Sequence, residues 1–84
     1  MPLTAEDIIP GKCYRAKKPK THGIFPKLIA DRQVLWVDSF RSQVQYDSPT
    51  VSNGRHHPRV SMAKFLAWAG HQVTLPAGEW EEAK

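Results

Sequence analysis

The chain contains one cysteine, Cys13, in 84 residues, so no internal disulfide can form and stability must come from packing and hydrogen bonds. A lone cysteine fits a reducing compartment, and a cytoplasmic location is expected. Apolar runs such as Leu28–Ala30 and Val34–Val37 fall far short of the roughly 20 residues that span a bilayer. The first ten residues carry Glu6 and Asp7 and no basic side chain; without a basic stretch leading into an apolar one, no secretory leader is expected. Carboxylates are also few. Asp31, Asp38 and Asp47 fall at turns or strand ends, where aspartate hydrogen-bonds nearby backbone, and no pair is spaced for acid–base chemistry.

The patterns that announce catalysis or metal binding are missing too. There is no Cys-x-x-Cys pair, and His22, His56, His57 and His71 include no pair at the i, i+4 spacing used by zinc hydrolases. His56 and His57 are neighbours; in a strand they point to opposite faces, which hinders shared ligation of one ion. No glycine-rich phosphate loop, dinucleotide fingerprint or nucleophile elbow occurs. Cys13 lies near Lys12 and Arg15, which would favour a thiolate, but a cysteine in a strand is more simply a core filler. The reading is a protein that is not an enzyme and uses no cofactor and no metal.

Against these absences stands a surplus of positive charge. Twelve Lys and Arg face eight Asp and Glu, a formal net charge of +4. The surplus is local: residues 11–32 hold Lys12, Arg15, Lys17, Lys18, Lys20, Lys27 and Arg32 against Asp31 alone. A clustered field of this kind concentrates polyanions and steers their approach. Apolar residues at 40% and charged residues at 24% are the proportions of an ordinary folded domain. At this length the core is a single modest cluster, so one domain is expected over residues 1–84, with its body at about 8–76 and an acidic tail at 77–84.

Most of the chain reads as short strands. Pro10-Gly11 is a turn, after which Lys12–Lys17 alternates, with Tyr14 and Ala16 on one side and Cys13 and Arg15 on the other. Residues 18–23 are polar with Pro19 and Gly23, an exposed basic loop. Ile24–Ala30 is an extended candidate limited by Pro26, and residues 30–33 fit a tight turn. Gln33–Val37 is a strand whose four successive apolar residues imply two covered faces, or one face that meets a partner. Residues 38–41 make a turn. Ser42–Asp47 points Val44 and Tyr46 inward and Gln43, Gln45 and Asp47 outward. Asn53-Gly54 predicts a hairpin turn with arms at 50–52 and 55–57. Ser61 caps a helix over Ser61–Ala69 with a stripe of Met62, Phe65, Leu66 and Ala69, ended by Gly70 in a left-handed conformation. Gln72–Leu75 is the last strand, stopped by Pro76, and the tail frays.

Two binding surfaces follow. The first is the basic loop: Arg15, Lys17, Lys18, Lys20 and Lys27 would meet nucleic-acid phosphates in a salt-sensitive contact that reads no bases. Tyr14, Phe25, Trp36 and Phe40 are the rings on which bases of a single strand would stack, although Trp36, set between Leu35 and Val37, is better placed as core. The second is a protein-binding aromatic groove using Trp36, Phe40 or Trp80; Trp80 would otherwise lock the tail onto the body. The tail's Glu79, Glu81 and Glu82 would also be placed to fold over the basic loop and compete with a polyanion.

The succession of Pro10-Gly11-Lys12-Cys13-Tyr14 opening a strand, a meander through Tyr46, and the Ser61–Ala69 helix leading into Gln72–Leu75 resembles the SH3-like small barrels, including Tudor, chromo-barrel and KOW-type modules. The resemblance covers about residues 10–76. It implies an α+β fold, mainly antiparallel β, in a partly open SH3-like barrel with one short helix before the last strand. Modules of this kind bind nucleic acid or peptides. The helix here is longer than the single 3₁₀ turn usual at that point, and no methyl-lysine cage maps onto particular residues. Fold alone does not assign function; the basic loop makes nucleic acid the expected partner, with a protein the alternative.

Overall fold

The computed structural model describes residues 3–24, 27–51, 56–75 and 79–83. Among the described residues, seven strands and one α-helix follow a 3₁₀ turn at Ala5–Asp7: β1 (Cys13–Ala16), β2 (Thr21–His22), β3 (Leu28–Ile29), β4 (Arg32–Asp38), β5 (Gln43–Asp47), β6 (Arg59–Ser61), α1 (Met62–Trp68) and β7 (Ala69–Val73). The α+β, mainly antiparallel expectation holds. Five strands form one sheet in the order β6-β5-β4-β1-β7, and β2 and β3 form a separate two-stranded ladder. Among the described residues no helix is long and apolar enough to cross a membrane.

The helix explains how the sheet is covered. It follows β6 and precedes β7 without a connecting residue, and these are the two edges of the sheet, so α1 bridges edge to edge. Ser61 starts it, extended at φ −64°, ψ 151°, its hydroxyl accepting from the Lys64 N–H at 3.1 Å. Phe65 is buried and reaches Tyr14 edge-on, with ring centroids 5.7 Å apart. Ile8, Tyr14, Val34, Val44, Tyr46, Phe65 and Ala69 make the core, with Met62, Leu66 and Trp68 packed against it. The inward alternation of Val44 and Tyr46 is as expected. The Tyr14 hydroxyl accepts from the Ile9 N–H at 2.9 Å and donates to the Asp7 carbonyl, which ties the N-terminal segment to the sheet.

Glycine at 11 serves a backbone need: it turns into β1 at φ 88°, its N–H donating to the Val34 carbonyl at 2.7 Å. Gly70 is different. It is not left-handed; the helix ends at Ala69 in an extended conformation (φ −73°, ψ 129°). Arg15 pairs with His71 and Ala16 with Ala69, so Gly70 is the extra residue of a bulge. A Cβ there would lie 3.0 Å from the Lys17 Cα and 3.2 Å from the Ala16 carbonyl oxygen. Close backbone approach, not handedness, requires this glycine.

Four other expectations change. The loop at 18–23 contains β2, which pairs Thr21 with Ile29 and His22 with Leu28. Trp36 is not core. Val34 faces Tyr46 but Trp36 faces Gln45, so Leu35 is an inserted residue, and the side-chain alternation resets after it. Val34 and Val37 therefore point to the core side, while Trp36 turns outward, 44% exposed, with the Arg59 guanidinium 5.5 Å from its ring centre. The Asn53-Gly54 turn lies outside the described residues, as do residues 52 and 55 of its two arms; His56 and His57 are not in a strand, and the strand before the helix is Arg59–Ser61. Finally, the tail does not fray over 79–83: Ile29 N–H donates to the Glu81 carbonyl at 2.9 Å, Ala83 N–H to the Lys27 carbonyl at 2.7 Å, and Leu28 bridges Glu82 antiparallel. The tail is a third partner on the edge of β3.

Candidate functional site

The basic loop is held at both ends by backbone hydrogen bonds. Lys17 N–H donates to the Trp68 carbonyl at 3.0 Å, where the helix ends, and Ala30 N–H donates to the Lys20 carbonyl at 2.8 Å. Between these anchors Lys17, Lys18 and Lys20 border a cleft of about 560 Å³ whose remaining wall comes from Thr21, Ala30, Arg32, Ser48, Thr50 and the helix residues Ala67 and Trp68. Of the described lining residues four are cationic and none is acidic. The volume is within the range of ordinary ligand sites.

Arg32 gives the cleft its other feature. Its guanidinium carbon lies 4.3 Å from the centre of the Tyr46 ring and 4.1 Å from that of Trp68, over two aromatic faces that attract a cation. Burial pushes its pKa down, opposed by the Tyr46 phenol; a guanidinium starts so far above neutrality that it stays charged. The ion pairs among the described residues are Arg15 with Asp31 and Arg15 with Glu81, and His57 Nε2 lies 3.6 Å from Asp47 Oδ1, so neither Arg32 nor any lysine of the cleft is neutralised by a carboxylate.

The five basic residues expected to act together divide. Lys17, Lys18 and Lys20 converge on the cleft. Lys27 does not line it; its carbonyl receives the tail. Arg15 is committed elsewhere, on the face of β1 opposite Tyr14: its Nε and Nη2 each donate to the Asp31 carboxylate at 3.0 Å, and Nη2 also donates to Glu81. The Asp31 hydrogen bonds, with Glu81 adding, hold the Arg15 pKa above its ordinary value against the effect of burial. Asp31 is fully buried in the two-residue connection between β3 and β4, its N–H donating to the Ile29 carbonyl at 2.8 Å; of the turn expected at 30–33, Arg32 and Gln33 belong to β4 instead. Glu81 thus engages Arg15 rather than the lysines.

The aromatic candidates do not form one groove. Phe40 stands 96% exposed at the tip of the turn between β4 and β5, where Asp38 Oδ1 accepts from the Phe40 and Arg41 N–H groups at 3.1 Å. Trp36 is on the outer face of the sheet beside Leu35, which is 39% exposed. Trp80 is half-buried in the tail segment that runs along β3. Tyr14 is wholly core, and Phe25 lies outside the described residues.

Sequence reasoning missed Arg32 and Trp68 as parts of the site. Their meeting depends on the first residue of β4 and the last of α1 being brought together by the sheet order, and no local pattern carries that. No group of three or more potential metal ligands occurs among the described residues. Cys13 is half-buried, and burial, with the Asp31 charge adding, raises its thiol pKa, opposite to what a nucleophile needs.

Compared with known proteins, the chain matches no protein-family model, no curated sequence and no solved structure.

Proposed function

We propose that the chain is a non-catalytic binding module that takes nucleic-acid phosphates in the cleft bordered by Lys17, Lys18 and Lys20. The observation that carries this reading is the convergence of those three lysines, with Arg32, on one concavity with no carboxylate among its described lining residues. Backbone anchoring of the loop at Lys17 and Lys20 favours binding because less chain entropy is lost when the ligand arrives. Arg15, bound by Asp31 and Glu81, is a structural residue in this reading, and Lys27 contributes only to the long-range field. In fold terms we take the five-stranded sheet to be a partly open SH3-like barrel. The support is that α1 joins β6 directly to β7, the two edges of the five-stranded sheet.

The test is a fluorescence-anisotropy titration with a labelled single-stranded oligonucleotide at several salt concentrations. Binding should weaken as salt rises, and Lys17→Ala/Lys18→Ala/Lys20→Ala should flatten the log–log slope by about 2, at roughly 0.7 per phosphate contact on a single strand. Affinity that ignores salt, or a triple variant that binds as the parent does, contradicts the reading.

A second reading has its own observation. Leu35, Trp36 and Phe40 are large apolar residues left exposed on β4 and the turn after it, which favours a protein partner on the outer face of the sheet. Such a contact would respond weakly to salt and would survive the triple lysine variant.

A further inference from the structure

The lysines place positive charge around the cleft, but an ammonium on a flexible stem does not fix where a phosphate sits. Arg32 differs from them in kind. It is half-buried, its guanidinium is flanked by the Tyr46 and Trp68 rings at 4.3 and 4.1 Å, and no hydrogen bond or ion pair among the described residues uses its side-chain N–H groups. No buried side-chain nitrogen or oxygen lacks a partner among them either, so the unpaired N–H groups of Arg32 touch solvent. The guanidinium carbon lies over both rings, and the donors left free belong to a side chain that lines the cleft. A planar fork of N–H donors held in one orientation matches two oxygens of a phosphate.

We infer that Arg32 is the anchor of the site: a guanidinium fork, fixed by Tyr46 and Trp68, that seats one phosphate of a single nucleic-acid strand while Lys17, Lys18 and Lys20 neutralise its neighbours. This rests on the proposed nucleic-acid reading and makes it specific. A cleft of about 560 Å³ admits a nucleotide unit of a single strand; the three lysines are exposed and Arg32 is half-buried, so a strand that enters the cleft is favoured over a duplex backbone that meets the lysines first. Ser48 and Thr50 also line the cleft; the Thr50 hydroxyl donates to Ser48 Oγ at 3.2 Å, which leaves the Ser48 hydroxyl as the one to donate to a ligand oxygen.

The experiment compares Arg32→Lys with the parent and with the triple lysine variant, using an eight-nucleotide oligothymidylate in the anisotropy titration. Arg32→Lys keeps the charge and loses the fork, so the salt slope should stay as in the parent while affinity falls by roughly tenfold, the effect of one charge-assisted hydrogen bond. If Arg32→Lys binds as the parent while the triple variant loses affinity, the anchor is overturned and the nucleic-acid reading stands. If the parent itself does not bind the oligonucleotide, both fall. Because Arg32 packs on two rings and its replacement can unfold the domain, the side-chain Nε–H resonance of Arg32 is also followed in the unaltered protein. It should shift and saturate with the oligonucleotide. Loop amides that shift while the Arg32 signal stays still overturn the anchor. Inorganic phosphate serves as a second probe: saturation of the Arg32 signal at the same concentration as with the oligonucleotide would assign the site to a small free anion and overturn the strand.

Discussion

Replacing Asp31 with alanine should be among the most damaging single changes in the molecule, although Asp31 lies outside the cleft. Its carboxylate is fully buried and accepts two hydrogen bonds from Arg15, both at 3.0 Å. Removing one partner of a buried pair costs about 3–5 kcal/mol when the survivor is left without compensation. Here the survivor is not wholly stranded. The Arg15 side chain keeps 18% of its surface exposed and retains Glu81, which lowers the expected cost to about 2–3 kcal/mol. For a domain of this size each kcal/mol moves Tm by about 4–8 °C, so Asp31→Ala should melt roughly 8–24 °C lower. Urea unfolding followed by tryptophan fluorescence gives the free energy directly, and circular dichroism the melting temperature. Two comparisons separate the pair from general damage. Glu81→Ala removes a half-exposed partner and should cost about 0.3–1 kcal/mol. Arg15→Met with Asp31→Leu removes both charges and should lie closer to the parent than Asp31→Ala does. If Asp31→Ala unfolds within about 0.5 kcal/mol of the parent, or if the double variant is worse than the single one, the ion pair does not hold β1 to the turn before β4 and the reasoning fails.

Two further outcomes follow. Gly70→Ala would put a methyl group 3.0 Å from the Lys17 Cα and 3.1 Å from its nitrogen; since backbone must move, destabilisation of about 1–3 kcal/mol is expected, together with weaker oligonucleotide binding as Lys17 shifts, and a variant as stable as the parent in urea would contradict the contact. The raised Cys13 pKa, caused by burial and then by the Asp31 charge, means the folded thiol keeps its proton where the unfolded one has lost it. Stability should therefore decline as pH climbs past the ordinary thiol value of about 8.5, and alkylation by iodoacetamide should titrate above that value; a rate that titrates at or below it would count against the assignment.

What was legible in the sequence was local. The Ser61 cap, the turn at Gly11, the Asp38 turn and the alternation of Val44 and Tyr46 each depend on residues within a few positions, and each is present. The grouping of Lys17, Lys18 and Lys20 was legible for the same reason, since four successive positions of one loop share a side of the molecule. Trp36 was misread because alternation counts residues, and the bulge at Leu35 adds one without any glycine or proline to mark it. Gly70 was assigned to a helix end because the pressing neighbour, Lys17, is distant in sequence. Arg15 entered the basic group as a charge; its loss to Asp31 and Glu81 spans 16 and 66 positions, beyond any pattern of spacing. Arg32 was hidden in the same way, because both rings that flank it arrive from later elements.

The strand order has a consequence for how the chain comes to be folded. Strand β1 is interior to the sheet, yet one of its two neighbours is β7, Cys13 lying against Val73. During synthesis the side of β1 that will receive β7 must wait with its amide and carbonyl groups unmatched, and Tyr14 must wait for the ring of Phe65. The β4–β5–β6 meander, whose partners are near in sequence, can assemble meanwhile. Closure by the helix and β7 is then the late event, slowed by the length of intervening chain that must be gathered in. A ribosome stalled before residue 73 has emerged would hold an open sheet with a bare flank on its earliest strand, and that species is the one a cell would need to shield from sticking to its neighbours.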